Sequence, residues 1–257
     1  MILSHKYNAI FIKTKKTAGT SIEVYLSQYC GPRDIITPVG LEEATADHHP
    51  QNYRGVWNPF PEYIHIKKTT TPWQKECGSA LKSFAQLGKL RKYYNHIPAF
   101  RVMNRTSPTV WKSYFIFTVE RNPWDKALSQ YYWKARHRSH YTFEDFVEEG
   151  DVGINYPRYT HPHTGELLVD YILYYNQLND ELQKVFDYIK VPFSGSLGVR
   201  AKTSTRKNRT PYQELFTGEL APYRQHIDSL FAKEIELHGW DFDTGLPSRS
   251  WQLPEEN

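Results

Sequence analysis

The sequence predicts an α/β fold: a central, mainly parallel sheet with helices on both faces, in one domain spanning residues 1–257. Two segments carry that prediction. In "YNAIFIKTKKTAGTSIEVYLSQ", from Tyr7, an apolar strand pattern enters a small basic loop and then a helical pattern. In "YFIFTVERNPWDKALSQYYW", from Tyr114, a continuous apolar run of the kind buried on both sheet faces passes through a short loop into helical spacing. Strands that alternate with helices in this way pair in parallel, because the helix returns the chain to the starting edge.

The first strand is expected over Tyr7–Lys13, and the first helix over Thr20–Gln28, with Ile22, Tyr25 and Leu26 along one side. From about 36 to 75 the chain is rich in Pro, His, Asn and Thr and weakly periodic, which predicts a long irregular excursion of the functional kind. Helical spacing returns over Ala80–Tyr94, and a buried strand follows at Tyr114–Val119. Pro123 suits a first helical turn, with Trp124, Leu128, Tyr131 and Tyr132 on one face behind it. Thr142 and Asp145 have the spacing of a capping box, and Leu167–Tyr174 reads as a strand. A last helix is expected over Ala221–His238, with Ile227, Leu230, Phe231 and Ile235 inward and Gly239 as its stop.

A chain of 257 residues at 39% hydrophobic can bury a full core. It contains no run approaching the roughly 18 apolar residues of a membrane span and no secretion-signal pattern, so a cytoplasmic protein without a membrane partner is expected. Cys30 and Cys77 are expected as free thiols. A net charge of +4 permits anionic ligands, but "IKKTTT" and "KLRKYY" are short for a nucleic-acid-binding module, and no nucleic-acid partner is expected. The pairs His161/His163 and His137/His140 lack further groups at ligand spacing, so no metal is expected.

The loop after the first strand has the makings of an anion site. The free N–H groups of a helix start and their partial positive charge attract a phosphate-like group, and Gly19 permits close approach. Thr17, Thr20 and Ser21 offer hydroxyls, and Lys16 a full charge. A nucleotide-kinase loop would need G-x-x-x-x-G-K-[ST], whereas here the lysine precedes the glycine. The second strand ends in Glu120 and Arg121, where a guanidinium can clamp another phosphate.

"KKTAGTS" after a strand resembles the 5′-phosphosulfate loop of the sulfotransferases, and "ERNPWDKALS" resembles their 3′-phosphate motif, in which an arginine is followed eight positions later by a serine. Arg121 and Ser129 keep that spacing. The resemblance covers most of the chain and is nearest the branch with "PKTAGTS"-type loops, which includes 2-O-sulfotransferase-like carbohydrate enzymes and many soluble bacterial proteins. It implies a P-loop-like fold that binds 3′-phosphoadenosine 5′-phosphosulfate (PAPS) and releases adenosine 3′,5′-bisphosphate (PAP), without a required metal. By the same resemblance Lys16 is the catalytic lysine, Thr17, Ala18, Gly19, Thr20 and Ser21 cradle the 5′-phosphate, and Arg121 and Ser129 hold the 3′-phosphate. Lys15 stands where the family often has proline, so three lysines compete for one role; Lys13 and Lys15 are read as solvated charges.

In the family a late basic loop closes over the 3′-phosphate, which makes Lys202, Ser204 and Arg206 in "VRAKTSTRKNRTPY" cofactor-binding candidates. The transfer also needs a destination for the acceptor's proton. His96, in "YYNHIPAF", is the candidate base, since carbohydrate members of the branch place a histidine in a similar segment. The expected partner is a small-molecule acceptor, a specialised metabolite with a hydroxyl or amine; a soluble saccharide is the alternative. Glu42, Glu43 and Asp47 would suit a cationic acceptor, and residues 151–165 could wall its pocket.

Overall fold

The computed structural model describes residues 1–40, 48–62, 85–198 and 210–255. Lys202, Ser204, Arg206, Glu42, Glu43, Asp47 and Cys77 lie outside the described residues.

The fold is mixed α/β, built on a five-stranded open sheet of order β3-β1-β2-β4-β5. The strands are β1 (Ile2–Ser4), β2 (Ala9–Ile12), β3 (Ile35–Ile36), β4 (Phe115–Glu120) and β5 (Tyr171–Tyr174). β2, β4 and β5 pair in parallel, whereas β1 is antiparallel to both β2 and β3, so four strands share one direction and β1 opposes them. β1 was not anticipated as a separate strand. Three residues show no periodicity, and the hairpin is secured from outside by Asp34, which accepts hydrogen bonds from Ser4 Oγ at 2.7 Å and from the His5 N–H at 2.7 Å.

Burial of both sheet faces explains the continuous apolar runs. Phe11, Phe117, Val119 and Leu173 pack on one face beneath α1 (Gly19–Ser27) and, further along the chain, the helix at Leu178–Tyr188. Ile10, Ile12, Ile116 and Ile172 point to the other, where α2 (Ala99–Arg105) supplies Ala99 and Val102. α3 (Pro108–Ser113) leads into β4. α4 (Pro123–Ala135) starts with proline in its first turn, and Asn122 Oδ1 caps it by accepting from the Asp125 N–H. α5 (Phe143–Glu148) carries the expected Thr142/Asp145 capping box. α6 (Tyr156–Tyr159) precedes β5, and α7 is the Leu178–Tyr188 helix.

A second apolar cluster joins α4 and α5 to α8 (Tyr212–Thr217), α9 (Arg224–Leu230) and α10 (Ala232–His238). The long last helix expected over Ala221–His238 is therefore three pieces. A 3₁₀ turn at Ala221–Tyr223 contains Pro222, and a break at Phe231 separates α9 from α10. That break accompanies the burial of Glu234 against Lys126, an internal ion pair that an apolar-face pattern does not reveal. Gly239 does end α10, in the left-handed region at φ 62°. The helical pattern of Ala80–Tyr94 survives as one turn, residues 85–88, within its described portion. Among the described residues no helix is long and apolar enough to cross a membrane.

Candidate active site

Parallel pairing of Ile12 with Thr118 sets the carboxyl ends of β2 and β4 side by side, so the loops that follow them meet at one edge of the sheet. Between them lies a cleft of about 260 Å³ lined by residues 13–21, His96, Arg121, Ser129, Gln130, Trp133, Asp151 and Tyr175. Lys16, Thr17, Ala18, Gly19, Thr20, Ser21, Arg121, Ser129 and His96, singled out from sequence, all line it.

The loop backbone is strained at two places. Lys16 and Ala18 adopt left-handed conformations, φ 61° and φ 60°, unusual for residues other than glycine. Ala18 is also the N-cap of α1, with no side-chain cap and no acidic residue in the first turn. Alanine is a poor cap because it has no side-chain oxygen to accept from the N–H groups of the first turn. Thr20 and Ser21 sit buried in that first turn. The Thr17 hydroxyl is committed elsewhere: Thr14 Oγ1 donates to the Val119 carbonyl at 2.5 Å, so in its 2.8 Å bond with Thr17 Oγ1 it accepts. Thr17 thus contributes backbone rather than the expected hydroxyl donor. Gly19 is required for a reason the sequence did not suggest. A Cβ there would lie 2.7 Å from Lys13 Cγ, so the glycine makes room for a lysine.

The three lysines have separate environments. Lys13, read from sequence as a solvated charge, is 1% exposed, and its Nζ donates to Glu23 Oε2 at 2.5 Å. Glu23 is itself fully buried and pairs through Oε1 with the Met1 amino group. Lys15, also expected in solvent, pairs with Asp151 at 2.6 Å across the cleft. Burial raises the Asp151 carboxyl, but the Lys15 and Lys134 ammonium groups outweigh it and hold the pKa below the ordinary carboxylate value. The Lys16 ammonium stands 5.6 Å from the Trp133 ring centroid.

Arg121 ties the two loops together. Its Nε and Nη2 donate to Asp125 Oδ2 at 2.9 and 2.6 Å, its Nη1 donates to the Lys16 carbonyl at 3.0 Å, and its guanidinium lies 4.3 Å from the Tyr175 ring. Among the described residues three of the five guanidinium N–H groups are used in these bonds, and a guanidinium held in this way can still donate to an anion. Ser129 lies half-buried two turns further along α4.

His96 arrives from the far side of the loop with φ 56°. Its Nδ1 is 3.3 Å from the Lys13 carbonyl, which can only accept, so Nδ1 carries the proton and Nε2 the lone pair. Burial first, then the charges of Lys13 and Arg158, hold the imidazole well below its ordinary pKa. It is a neutral side chain whose Nε2 carries no proton.

Asp151, the first residue of the 151–165 stretch expected to wall the acceptor pocket, lines the cleft, whereas Gln130, Trp133 and Tyr175 were missed as cleft residues. Trp133 could have been found, being four positions after Ser129 and so on the same helical face. Tyr175 could too, since it directly follows a strand parallel to β4 and emerges at the same sheet edge. Among the described residues no group of three or more His, Cys, Asp or Glu side chains is arranged to hold a metal ion.

Fold and site together define an α/β protein with a cationic cleft at the carboxyl edge of its parallel strands. No family model and no solved structure matches the chain. It is similar to an uncharacterized protein of Archaeoglobus fulgidus, with 32% identity over 117 residues that make up 44% of this chain and 96% of that protein. The chain belongs to one family with that archaeal protein.

Proposed function

We propose that the protein is a PAPS-dependent sulfotransferase of P-loop-like fold that acts on a hydroxyl or amine of a small-molecule acceptor, a specialised metabolite. One observation carries this reading. Two segments 105 residues apart, each resembling one half of a sulfotransferase cofactor site, end neighbouring parallel strands and line a single cleft that also contains His96.

The residues fit an anion with two phosphate ends. The uncapped start of α1 and the left-handed turns at Lys16 and Ala18 suit a 5′-phosphosulfate, and Arg121 with Ser129 suits a 3′-phosphate. When bound, PAPS supplies a sulfuryl group whose sulfur is attacked by the acceptor oxygen or nitrogen as its bond to the 5′-phosphate oxygen breaks, leaving PAP. Lys16 Nζ stabilises the negative charge gathering on that phosphate oxygen. His96 Nε2 takes the acceptor's proton, and its Nδ1–H stays on the Lys13 carbonyl. Glu120, the carboxylate at the end of β4, accepts from Lys126 Nζ, the Arg121 N–H, Asn155 Nδ2 and Tyr159 Oη, so it is engaged in the interior and not aimed at a kinase-type magnesium ion.

Calorimetric titration with PAP, AMP and Mg·ATP tests the reading. PAP binding far tighter than AMP and Mg·ATP is expected; equal affinity for PAP and AMP, or preference for Mg·ATP, refutes it. In a PAPS-dependent acceptor screen, Lys16→Ala abolishes turnover while changing PAP affinity only modestly.

A further inference from the structure

Behind the cleft lies a buried polar network for which transfer chemistry has no use. Lys126 donates to Glu120 at 2.6 Å and to Glu234 at 2.5 Å, with all three side chains at most 1% exposed. Glu234, whose carboxyl burial pushes up to about 7, also accepts from the Tyr156 N–H at 2.8 Å. At the centre is Asn155, fully buried. Its Oδ1 accepts from the Lys15 N–H at 2.8 Å, and its Nδ2 donates to the Lys15 carbonyl at 3.0 Å and to Glu120 Oε1 at 3.2 Å. Its own N–H donates to Glu234, and its carbonyl accepts from the Arg158 N–H at 2.7 Å. Only one orientation of the amide sets its donors on two oxygens and its acceptor on an N–H.

We infer that Asn155 is a positioning residue of the anion site, holding the β2–α1 loop by both main-chain polar groups of Lys15 and joining it through Glu120 to the β4–α4 loop. The role in cofactor binding rests on the PAPS reading above; the role in shaping the loop does not. The amide pair copies a rung of a β-ladder at Lys15, three residues beyond the end of β2 and just before the left-handed turn at Lys16. Glu120 Oε1 accepts both the Arg121 N–H, at 2.8 Å, and Asn155 Nδ2. One carboxylate oxygen thereby fixes the origin of Arg121 relative to the loop that Arg121 must face. A strained backbone conformation persists only where its surroundings over-determine it, and Asn155 supplies that constraint.

Asn155→Asp, Asn155→Ala and Tyr159→Phe form the test. Asn155→Asp keeps the shape but turns a donor into an acceptor facing the Lys15 carbonyl and Glu120. Tyr159→Phe removes bonds of the same network, to Glu120 at 3.0 Å and His238 at 3.1 Å, without touching either loop. Amide hydrogen exchange over residues 14–18 without ligand, and calorimetry with PAP, are measured beside each variant's melting temperature. Both Asn155 variants are expected to speed loop exchange at least tenfold and to weaken PAP binding at least tenfold, while Tyr159→Phe lowers the melting temperature and leaves PAP affinity within twofold. Loop exchange and PAP affinity that merely follow melting temperature across all three variants overturn the inference. If the unmutated protein fails to bind PAP, the sulfotransferase reading falls, and loop exchange alone decides the role of Asn155. If neither Asn155 variant folds, exchange in the unmutated protein decides: a Lys15 amide as slow as those of β4 supports the clamp, and one as fast as an exposed loop overturns it.

Discussion

Lys13 and Lys16 are three residues apart, and the proposed function gives them different work, structural for the buried Lys13 and catalytic for Lys16, which can be tested by removing each charge. Lys13 shares the buried Glu23 carboxylate with the Met1 amino group, one on each oxygen, and Thr37 Oγ1 lies 3.3 Å from Glu23 Oε1. Replacing Glu23 with Gln leaves two buried amines facing one neutral amide. Two unit charges about 5 Å apart repel by about 3 kcal/mol at an effective dielectric of about 20. Removing one partner of a buried pair costs about 3–5 kcal/mol in general. Burial first, and Lys13 second, already hold the Met1 amine well below its ordinary pKa, so it can shed its proton and relieve part of the repulsion. The expected loss for Glu23→Gln is therefore about 3 kcal/mol, at the low end of that range. Lys13→Met keeps the apolar stem that fills the space beside Gly19 and leaves Glu23 with Met1 and Thr37, so it should cost less than about 2 kcal/mol. Lys16→Met should stay within about 0.5 kcal/mol and abolish turnover. Urea unfolding at pH 7 gives all three stabilities, and a PAPS-dependent assay gives the rates. The reasoning is refuted if Lys13→Met destabilises as much as Glu23→Gln, or if Lys13→Met, folded and binding PAP, is as inactive as Lys16→Met.

Arg121→Ala should weaken PAP binding by about 1.5–3 kcal/mol through a lost charge-assisted contact, with AMP affected less; equal losses for both ligands would remove the 3′-phosphate assignment. The His96 imidazole resonances should stay at their neutral positions from pH 8 to pH 6 in the free protein, because burial and the charges of Lys13 and Arg158 depress its pKa. PAP, as an anion, offsets those charges and should raise the midpoint; a free-protein midpoint at or above about 6.5 contradicts the buried, Nδ1-protonated state. Gly19→Ala pushes a methyl group against Lys13 Cγ, whose ammonium is pinned by Glu23, and should cost about 1–3 kcal/mol in thermal or urea unfolding; an unchanged stability would mean that the lysine moves freely.

The strands and helices that carry the site were legible because their signals are local. Phe115–Glu120 is an uninterrupted run of buried residues, Pro123 and Asn122 mark the start of α4, and Thr142 with Asp145 caps α5. That Lys16, Arg121, Ser129 and His96 share one cleft was legible only through the resemblance of their segments to those of the sulfotransferases. What escaped was decided at long range. β1 is a strand because β2 and β3 flank it, and α10 separates from α9 where Glu234 turns toward Lys126. Lys13 and Asn155 gave no sign of burial, since a lysine or asparagine in a loop is usually solvated, and their partners lie 10 and 140 residues away.

The guanidinium of Arg121 resting on the Lys16 carbonyl makes the two loops one mechanical unit. Any ligand group that draws Arg121 toward itself also tugs on the peptide that shapes the other half of the cleft. On this geometry the contributions of a two-ended anion's ends are not separable, and substitutions at positions 16 and 121 should combine non-additively in a double-mutant cycle. Drift in one loop would then be felt by the other, so a chain with this latch is constrained to alter both ends of its ligand preference together or neither.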